Sequence, residues 1–308
     1  MGNQFRTAFL LGLMTILVIL LGQLLGGRQG MLIAFVLAAG MNFFSYWYSD
    51  KIVLRMYRAQ EVTAQQAPDL YRMVADLAQR ANLPMPRVYI IPKQTPNAFA
   101  TGRNPQNAVV AVTQGLLASM NTQEIKGVLA HEMAHVKGRD ILIGSVAATM
   151  AGAIMLLASM ARWSAILGGG RGNDERGGMG AIGLLVMSLV APVAAMIVQM
   201  AVSRAREYEA DAEGARIAGS PAGLADALEK LDAYAKRLPM EANPTTAHMF
   251  IVNPLSGRSM MNLFSTHPPI EERIARLRGI RPQSPSAPPA HTRDQRMEQG
   301  RSFWDSLS

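Results

Sequence analysis

The sequence predicts a mainly α integral membrane protein, with four transmembrane helices and a polar α+β domain that contains a small sheet. Apolar residues make up 49% of the 308 residues and charged residues only 17%, against about 25% charged residues in typical soluble chains. The deficit is concentrated in four runs of 18 to 22 residues without any charged side chain. Because about 20 apolar helical residues cross a bilayer core, each run is long enough to be a span.

The four runs predict two transmembrane hairpins, within residues 1–50 and 141–202. In chain order the spans are Ala8–Leu25, Met31–Tyr48, Ile141–Met160 and Ala181–Val202. The alternative is that the runs are buried core helices of a soluble protein. We interpret the first span as an uncleaved signal anchor, because no small-x-small cleavage site follows it and a second apolar run begins at once.

An even number of spans places both termini on one side of the membrane, and basic residues near the spans indicate which side. Eight basic residues flank the spans on the side of the termini, and four lie in the two opposite loops. The positive-inside rule therefore predicts cytoplasmic termini and cytoplasmic polar segments. The formal net charge of +8 does not require a nucleic-acid partner, because basic residues beside spans suit the anionic headgroups of the lipid bilayer.

The first polar segment, 51–140, carries both helical and strand patterns. Leu70, Met73, Val74 and Leu77 recur at helical spacing and predict an amphipathic helix. The predicted elements are a helix over Pro68–Asn82, strands over Arg87–Ile91 and Ala108–Thr113, a turn over Thr101–Pro105, and a helix from Asn121 toward Gly138.

The second polar segment, 203–280, is predicted to be mostly helical. Its helices are expected over Ser203–Ala218, Pro221–Leu238 and Pro269–Leu277. The tail 281–308 is rich in proline, serine and charge, which is typical of disorder.

The first polar segment ends in a zinc-protease pattern, His131-Glu132-Met133-Ala134-His135. Residues four apart share one face of a helix, so both imidazoles can reach a single ion. Zinc lowers the pKa of a bound water to about 7, and Glu132 is placed to act as the general base. The chain has no cysteine, so the third ligand must be sought among other residues.

The best candidate for the third ligand is Glu207. Glu207 and Asp211 are four apart, so one can bind the metal while the other accepts a hydrogen bond from a ligand histidine. From spacing alone, a surface helix in which these carboxylates pair with Arg204 and Arg206 is an equal alternative.

Four sequence features occur in one order and together resemble the HtpX family of membrane zinc metalloproteases, which are relatives of the CAAX prenyl proteases. They are Asn97–Gly102, His131–His135, Ser203–Asp211, and His267-Pro268-Pro269 followed by Glu272-Arg273. The resemblance implies a gluzincin-type zinc protease domain on the cytoplasmic face of a bacterial inner membrane. It also implies one Zn2+ per chain.

The resemblance implies a role for each site residue. His131, His135 and Glu207 would bind zinc, Glu132 would be the general base, and Asp211 would support His131. His267 and Arg273 would stabilise the oxyanion or bind the substrate backbone, unless His267 merely caps a helix that starts at Pro268-Pro269. Asn97, Ala98, Phe99 and Ala100 would form an edge strand that pairs with an extended substrate; the alternative is an ordinary edge strand or loop.

The expected function is the cleavage of misfolded or damaged membrane proteins or other unfolded polypeptides, in membrane-protein quality control under stress. Self-cleavage is expected as well. One alternative is a CAAX-type processing protease with a prenylated substrate. Four spans argue against this alternative, because they are too few to enclose a lipidated peptide. Another is a non-catalytic membrane scaffold with a structural metal site, which would need a fourth protein ligand.

Overall fold

A computed structural model describes residues 3–150, 204–237, 249–251 and 268–279. Its helices are α1 Asn3–Met56, α2 Pro68–Ala81, α3 Gln114–Ser119, α4 Thr122–Gly138, α5 Ile141–Met150, α6 Arg204–Ala218, α7 Ala222–Arg237 and α8 Ile270–Leu277. Its strands are β1 Gln60–Glu61, β2 Arg87–Ile91, β3 Ala98–Thr101 and β4 Val109–Thr113. Mainly helical structure with a small sheet agrees with the fold class expected from the sequence.

Helix α1 folds back on itself. The side-chain amide of Asn42 donates to the Thr15 hydroxyl over 2.7 Å. In a straight helix these two residues would lie about 40 Å apart. The reversal occurs at Gly27, whose φ of +55° favours glycine. Helix α1 is therefore a helical hairpin, and its passage through a membrane stays a prediction.

One segment of the described residues, Gly27–Met56, is both long and apolar enough to cross a membrane, and Leu11–Leu20 is a shorter apolar helix. The start of the third predicted span forms α5, most of whose side chains are buried. The rest of that span, the fourth span Ala181–Val202 and the tail 281–308 lie outside the described residues.

The four strands form one mixed sheet in the order β1-β2-β4-β3. Strand β2 runs parallel to β4, and β1 and β3 pair antiparallel with β2 and β4 respectively. Strand β3 therefore lies at one edge of the sheet, beside the helix that carries the histidines.

Both faces of the sheet are buried. On one face, the side chain of Val110 belongs to a core with Leu77 of α2, Val128 of α4 and Leu228 of α7. On the other face, Tyr57 at the end of α1, Ile91, Phe99, Ala148 of α5 and Phe250 form a second cluster. The sheet is thus packed directly against the end of the apolar hairpin.

The predicted elements of the polar segments match the observed ones closely. The predicted helix over Pro68–Asn82 is α2, which Asn82 ends in a left-handed conformation. Strand β2 has the predicted bounds, and β4 starts one residue later than predicted. The three helices predicted after residue 203 are α6, α7 and α8, with ends within a residue of those predicted.

Candidate metal centre

Helix α4 carries the two histidines and has well-defined ends. At its start, the Asn121 side chain accepts from the backbone N–H groups of Gln123 and Glu124, while the Glu124 carboxylate accepts from the Asn121 N–H. This capping box satisfies otherwise unpaired donors of the first turn. Within the helix, the Nε2 atoms of His131 and His135 lie 3.2 Å apart. The two imidazoles therefore face the same point.

Glu207 brings a carboxylate to that point from α6. Its Oε2 atom lies 3.8 Å from His131 Nε2 and its Oε1 atom 3.6 Å from His135 Nε2. Ligands bound tetrahedrally at zinc distances of 2.0–2.1 Å lie about 3.3 Å apart. The donor distances of 3.2, 3.6 and 3.8 Å lie near this spacing, and two imidazoles with one carboxylate are a donor set that suits catalytic zinc. They form the metal-binding group that the sequence predicts.

A glycine allows α6 to come this close to α4. A Cβ atom added to Gly214 would lie 2.9 Å from both the N and Cα atoms of His131. Because those are backbone atoms of a helix, they have little freedom to move aside. Gly214 is therefore the residue that lets Glu207, two turns earlier on α6, reach the histidines.

Each histidine has a carboxylate behind its ring. His131 Nδ1 lies 3.0 Å from Asp211 Oδ1, as the sequence analysis expects, and both side chains are buried. Such a partner fixes the orientation of the ring and favours one tautomer. Burial lowers the pKa of His131, which keeps its imidazole neutral and able to bind a metal.

The partner of His135 is Asp140, a residue that the sequence analysis did not single out. Its Oδ2 atom lies 3.2 Å from His135 Nδ1. The left-handed conformation of Arg139, with φ 58°, ends α4 and turns the chain back so that Asp140 faces the last turn. Arg206 on α6 lies 3.4 Å from the other Asp140 oxygen and ties the two helices together.

The electrostatic environment of His135 differs from that of His131. Burial alone would lower the pKa of His135, but the hydrogen bond to Asp140 and the nearby Glu207 carboxylate raise that pKa to about 9. Before a metal binds, this pKa therefore favours the cationic form of His135, with both ring nitrogens protonated, at neutral pH.

Glu132 lies beside the donors and is buried. Burial raises the pKa of its carboxyl group to about 7. The carboxylate also accepts a hydrogen bond from the backbone N–H of Ala100 in β3. A carboxyl group that titrates near neutral pH can both accept and release a proton under ordinary conditions.

Arg273 lies at the back of the metal-binding group. Its guanidinium group is completely buried and donates to both oxygens of Asp211. It also lies 3.7 Å from Glu207 Oε2 and 3.4 Å from His131 Nε2. The sequence grouped Arg273 with His267, but His267 lies outside the described residues.

The residues Asn97–Ala100 occupy the predicted position at a sheet edge. Asn97 donates its backbone N–H to the Thr113 hydroxyl, and residues Ala98–Thr101 form β3. Through the Ala100 N–H, this edge strand is in contact with Glu132. Its role in substrate binding stays a prediction.

Comparison with known proteins agrees with this site. Residues 64–281 match the model of peptidase family M48. This range includes all three metal donors, the base candidate Glu132 and the buried Arg273. The match covers more than two thirds of the chain.

Curated relatives match over nearly the whole length. The chain is 62% identical over 309 residues to a protein named "Protease HtpX homolog" from Desulfatibacillum aliphaticivorans, with 100% of both chains covered. It is 66% identical over 278 residues to a protein of the same name from Desulforapulum autotrophicum, covering 90% of each. A third, from Thermococcus sibiricus, is 54% identical over 282 residues, covering 91% of this chain and 97% of the relative.

The fold is also similar to a solved structure, that of S. mikatae Ste24p. The TM-score is 0.51 at 19% identity, and the likeness covers 86% of this chain and 62% of that chain. At this identity the likeness concerns the fold alone. From the family match and the near full-length relatives, the chain belongs to peptidase family M48.

Proposed function

We propose that this zinc metalloprotease is a four-span endopeptidase of a bacterial inner membrane that cleaves misfolded or damaged membrane proteins at the cytoplasmic face. Its role is membrane-protein quality control under stress. The observation that carries the proposal is the meeting of three elements beside an apolar hairpin. They are the His131–His135–Glu207 group, the base Glu132 and the edge strand β3.

In this proposal Glu132 moves the proton. Its pKa of about 7 lets the carboxylate take a proton from the attacking water and later give it to the leaving amine. The Ala100 N–H holds the carboxylate against β3, so the base lies next to the strand that would bind the peptide. His131, His135 and Glu207 would hold the zinc, which would supply Lewis acidity to polarise a carbonyl group and to lower the pKa of water.

The remaining polar contacts orient these groups. Asp211 and Asp140 fix the two imidazole rings, and Arg273 holds Asp211.

In the proposed domain organisation, segments 51–140 and 203–280 form the two halves of one protease domain. The second hairpin, 141–202, joins these halves close to the metal.

Membrane placement is supported by the aromatic residues at the end of the second span. Aromatic side chains are enriched where a helix leaves the bilayer, and Phe43, Phe44, Trp47 and Tyr48 are exposed there. Arg103, in the loop after β3, places its guanidinium group 4.5 Å from the centre of the Trp47 ring. In this arrangement β3 lies close to the membrane surface, where a substrate emerging from the bilayer would meet it.

The topology is testable because the chain has no cysteine, so each introduced cysteine reports alone. An impermeant maleimide added to spheroplasts should label Arg28→Cys and Arg171→Cys in the two outer loops. It should label Gln79→Cys and Glu229→Cys, one in each polar segment, only after lysis. Labelling of Gln79→Cys before lysis would contradict the cytoplasmic placement, and protection of Arg171→Cys would contradict the second hairpin.

The substrate class needs a separate experiment. Purified protein is incorporated with zinc into liposomes that contain a fluorescent membrane protein, either native or destabilised by a core substitution. We expect the destabilised form to be cleaved faster, and self-cleavage to occur alongside it. Equal cleavage of both forms would contradict the quality-control role while leaving the protease activity intact.

A further inference from the structure

The backbone of Ile251 makes two hydrogen bonds close to the metal-binding group. Its N–H donates to the carbonyl oxygen of Ala98 in β3 over 3.3 Å. Its own carbonyl oxygen accepts from Nη1 of Arg273 over 3.0 Å. The same guanidinium group lies 3.4 Å from the His131 ring. Both polar groups of this residue are therefore held by the edge strand and by the buried arginine.

The side chain before it is anchored on the other side of the strand. The Phe250 ring is completely buried and meets the rings of Tyr57 and Phe99 edge to face, at centroid distances of 5.1 and 5.4 Å. This geometry is favourable for aromatic pairs. Phe250 thus fills a pocket whose walls come from the end of α1 and from β3.

The hydrogen-bonding pattern of β3 indicates which of its groups face outward. The Asn97 carbonyl accepts from the Thr113 N–H, so the backbone polar groups of Asn97 face β4. Because backbone groups alternate along an antiparallel pair, those of Ala98 and Ala100 face the open edge. The Ala100 N–H is bound by Glu132, and the Ala98 carbonyl is bound by Ile251. A peptide that adds to this edge beside Glu132 would need the Ala98 carbonyl.

We infer that residues 249–251, here called the strap, occupy the place of a substrate and must leave before an extended peptide can bind. In the substrate complex, the Ala98 carbonyl and the Arg273 guanidinium would hold one residue of the peptide by its backbone. The Tyr57–Phe99 pocket would take the residue before it, with a preference for a large apolar side chain such as phenylalanine. This inference rests on the proposed protease function.

The strap acts as a competitor built into the chain. A peptide of similar sequence replaces its two hydrogen bonds and its aromatic contacts like for like. Being part of the same chain, the strap competes at a high effective concentration. Dilute or folded proteins are therefore poor substrates, whereas unfolded segments held at the membrane surface displace the strap.

The test measures peptide binding without cleavage. The full chain carrying Glu132→Gln is loaded with zinc. The side-chain amide oxygen of the introduced glutamine can still accept from the Ala100 N–H. The probe is a fluorescent peptide with the sequence of residues 246–254, which contains Phe250 and Ile251. Binding is followed by fluorescence anisotropy.

Two strap variants are compared with a matched control. Ile251→Pro removes the N–H that binds Ala98, and Phe250→Ala removes the aromatic anchor. Ile251→Val keeps the N–H and a branched side chain. If the strap is closed in about nine of ten molecules, opening it lowers the apparent Kd about tenfold. We expect this decrease for both strap variants and a Kd like that of the parent for Ile251→Val.

Equal affinity in the parent and in both strap variants would overturn the inference, and so would the absence of peptide binding in all of them. Because Phe250→Ala leaves the backbone unchanged, it tests the inference even if Ile251→Pro fails to fold. In chains with Glu132 intact, both strap variants should lower the KM for an unfolded polypeptide and retain kcat. Ile251→Val should leave both constants like those of the parent. Loss of all cleavage in the parent chain would count against the proposed function, whereas the binding measurement would still decide on the strap.

Discussion

Arg273 and Asp211 form a two-pronged ion pair at the back of the metal-binding group. The Arg273 Nε and Nη2 atoms donate to the two Asp211 oxygens over 2.8 and 2.7 Å. Although burial opposes ionisation of Asp211, the guanidinium group holds the pKa of that carboxyl below its usual range. Asp211 therefore stays a carboxylate, with its Oδ1 atom 3.0 Å from His131 Nδ1.

Removing Arg273 should be strongly destabilising. Arg273→Ala would leave the buried Asp211 carboxylate without its cation, and breaking a buried pair in this way lowers stability by about 3–5 kcal/mol. Arg276→Ala is the matched control, because Arg276 is half exposed and pairs with Glu272 at the surface. Loss of this solvent-screened pair should lower stability far less than loss of Arg273. Thermal unfolding of the zinc-loaded proteins in detergent measures both, and similar unfolding temperatures for the two variants would contradict this account.

Gly214→Ala should lower the affinity of the site for zinc, although helix propensity alone predicts that alanine stabilises a helix. In an open helix, glycine to alanine adds roughly 1 kcal/mol of stability. At Gly214 the new methyl group would lie 2.9 Å from the His131 backbone, so α6 would have to move and carry Glu207 away. We expect a lower zinc affinity, measured by competition with a chelator. Gly40→Ala, which has open space around it, should bind zinc like the parent, and unchanged affinity in Gly214→Ala would refute the close approach.

Zinc binding should release about one proton near pH 8. Before zinc binds, His135 has a pKa of about 9 and is mostly protonated at this pH. The imidazole must lose that proton to bind the metal. Calorimetric titration of the metal-depleted protein in buffers of different ionisation enthalpy gives the number of protons. The number should fall in Asp140→Asn, which removes the carboxylate that raises this pKa, and zero release from the parent would show that His135 is already neutral.

A surface ion-pair network links α4 to α6 and predicts a pH effect on stability. Glu213 accepts from Lys137 over 2.7 Å and from Arg216. The hydrogen bond from Arg216, and then that from Lys137, lower the pKa of Glu213 from 4.5 to about 2. Because the folded-state pKa is depressed, this stabilisation is complete above about pH 4.5 and is lost as the pH falls toward 2.

Glu213→Gln should therefore be less stable than the parent near pH 7, by less than about 1 kcal/mol because the pair is partly exposed. The difference in unfolding temperature should shrink between pH 4.5 and 3. Glu209→Gln, an exposed position on the same helix, is the control and should show no such trend. A difference between Glu213→Gln and the parent that stays constant with pH would contradict the ion-pair explanation.

Much of the polar domain could be predicted because its signals are local. The apolar spacing in Pro68–Asn82 and the capping residues around Asn121 set the ends of α2 and α4. The group formed by His131, His135 and Glu207 was also predicted, since four-residue spacing on two helices limits which faces can meet. The resemblance to a family removed the remaining ambiguity about Glu207.

The features that escaped prediction depend on distant contacts or unusual backbone geometry. Asp140 faces His135 only because Arg139 adopts a left-handed conformation, and no strong glycine or asparagine signal marks that position. The pairing of Ile251 with β3 joins residues far apart in the chain. Strand β1 has only two residues, too few for any alternating pattern to emerge.

The most direct test of the central claim compares the parent protein with Glu132→Gln, both purified in detergent, for zinc content and cleavage of casein. We expect about one zinc per chain in each protein, because Glu132 is not among the three metal donors. Only the parent should cleave casein or itself, since the variant lacks the carboxylate that moves the proton. Equal cleavage by the two proteins, or loss of zinc from Glu132→Gln, would contradict the assignment of Glu132 as the base.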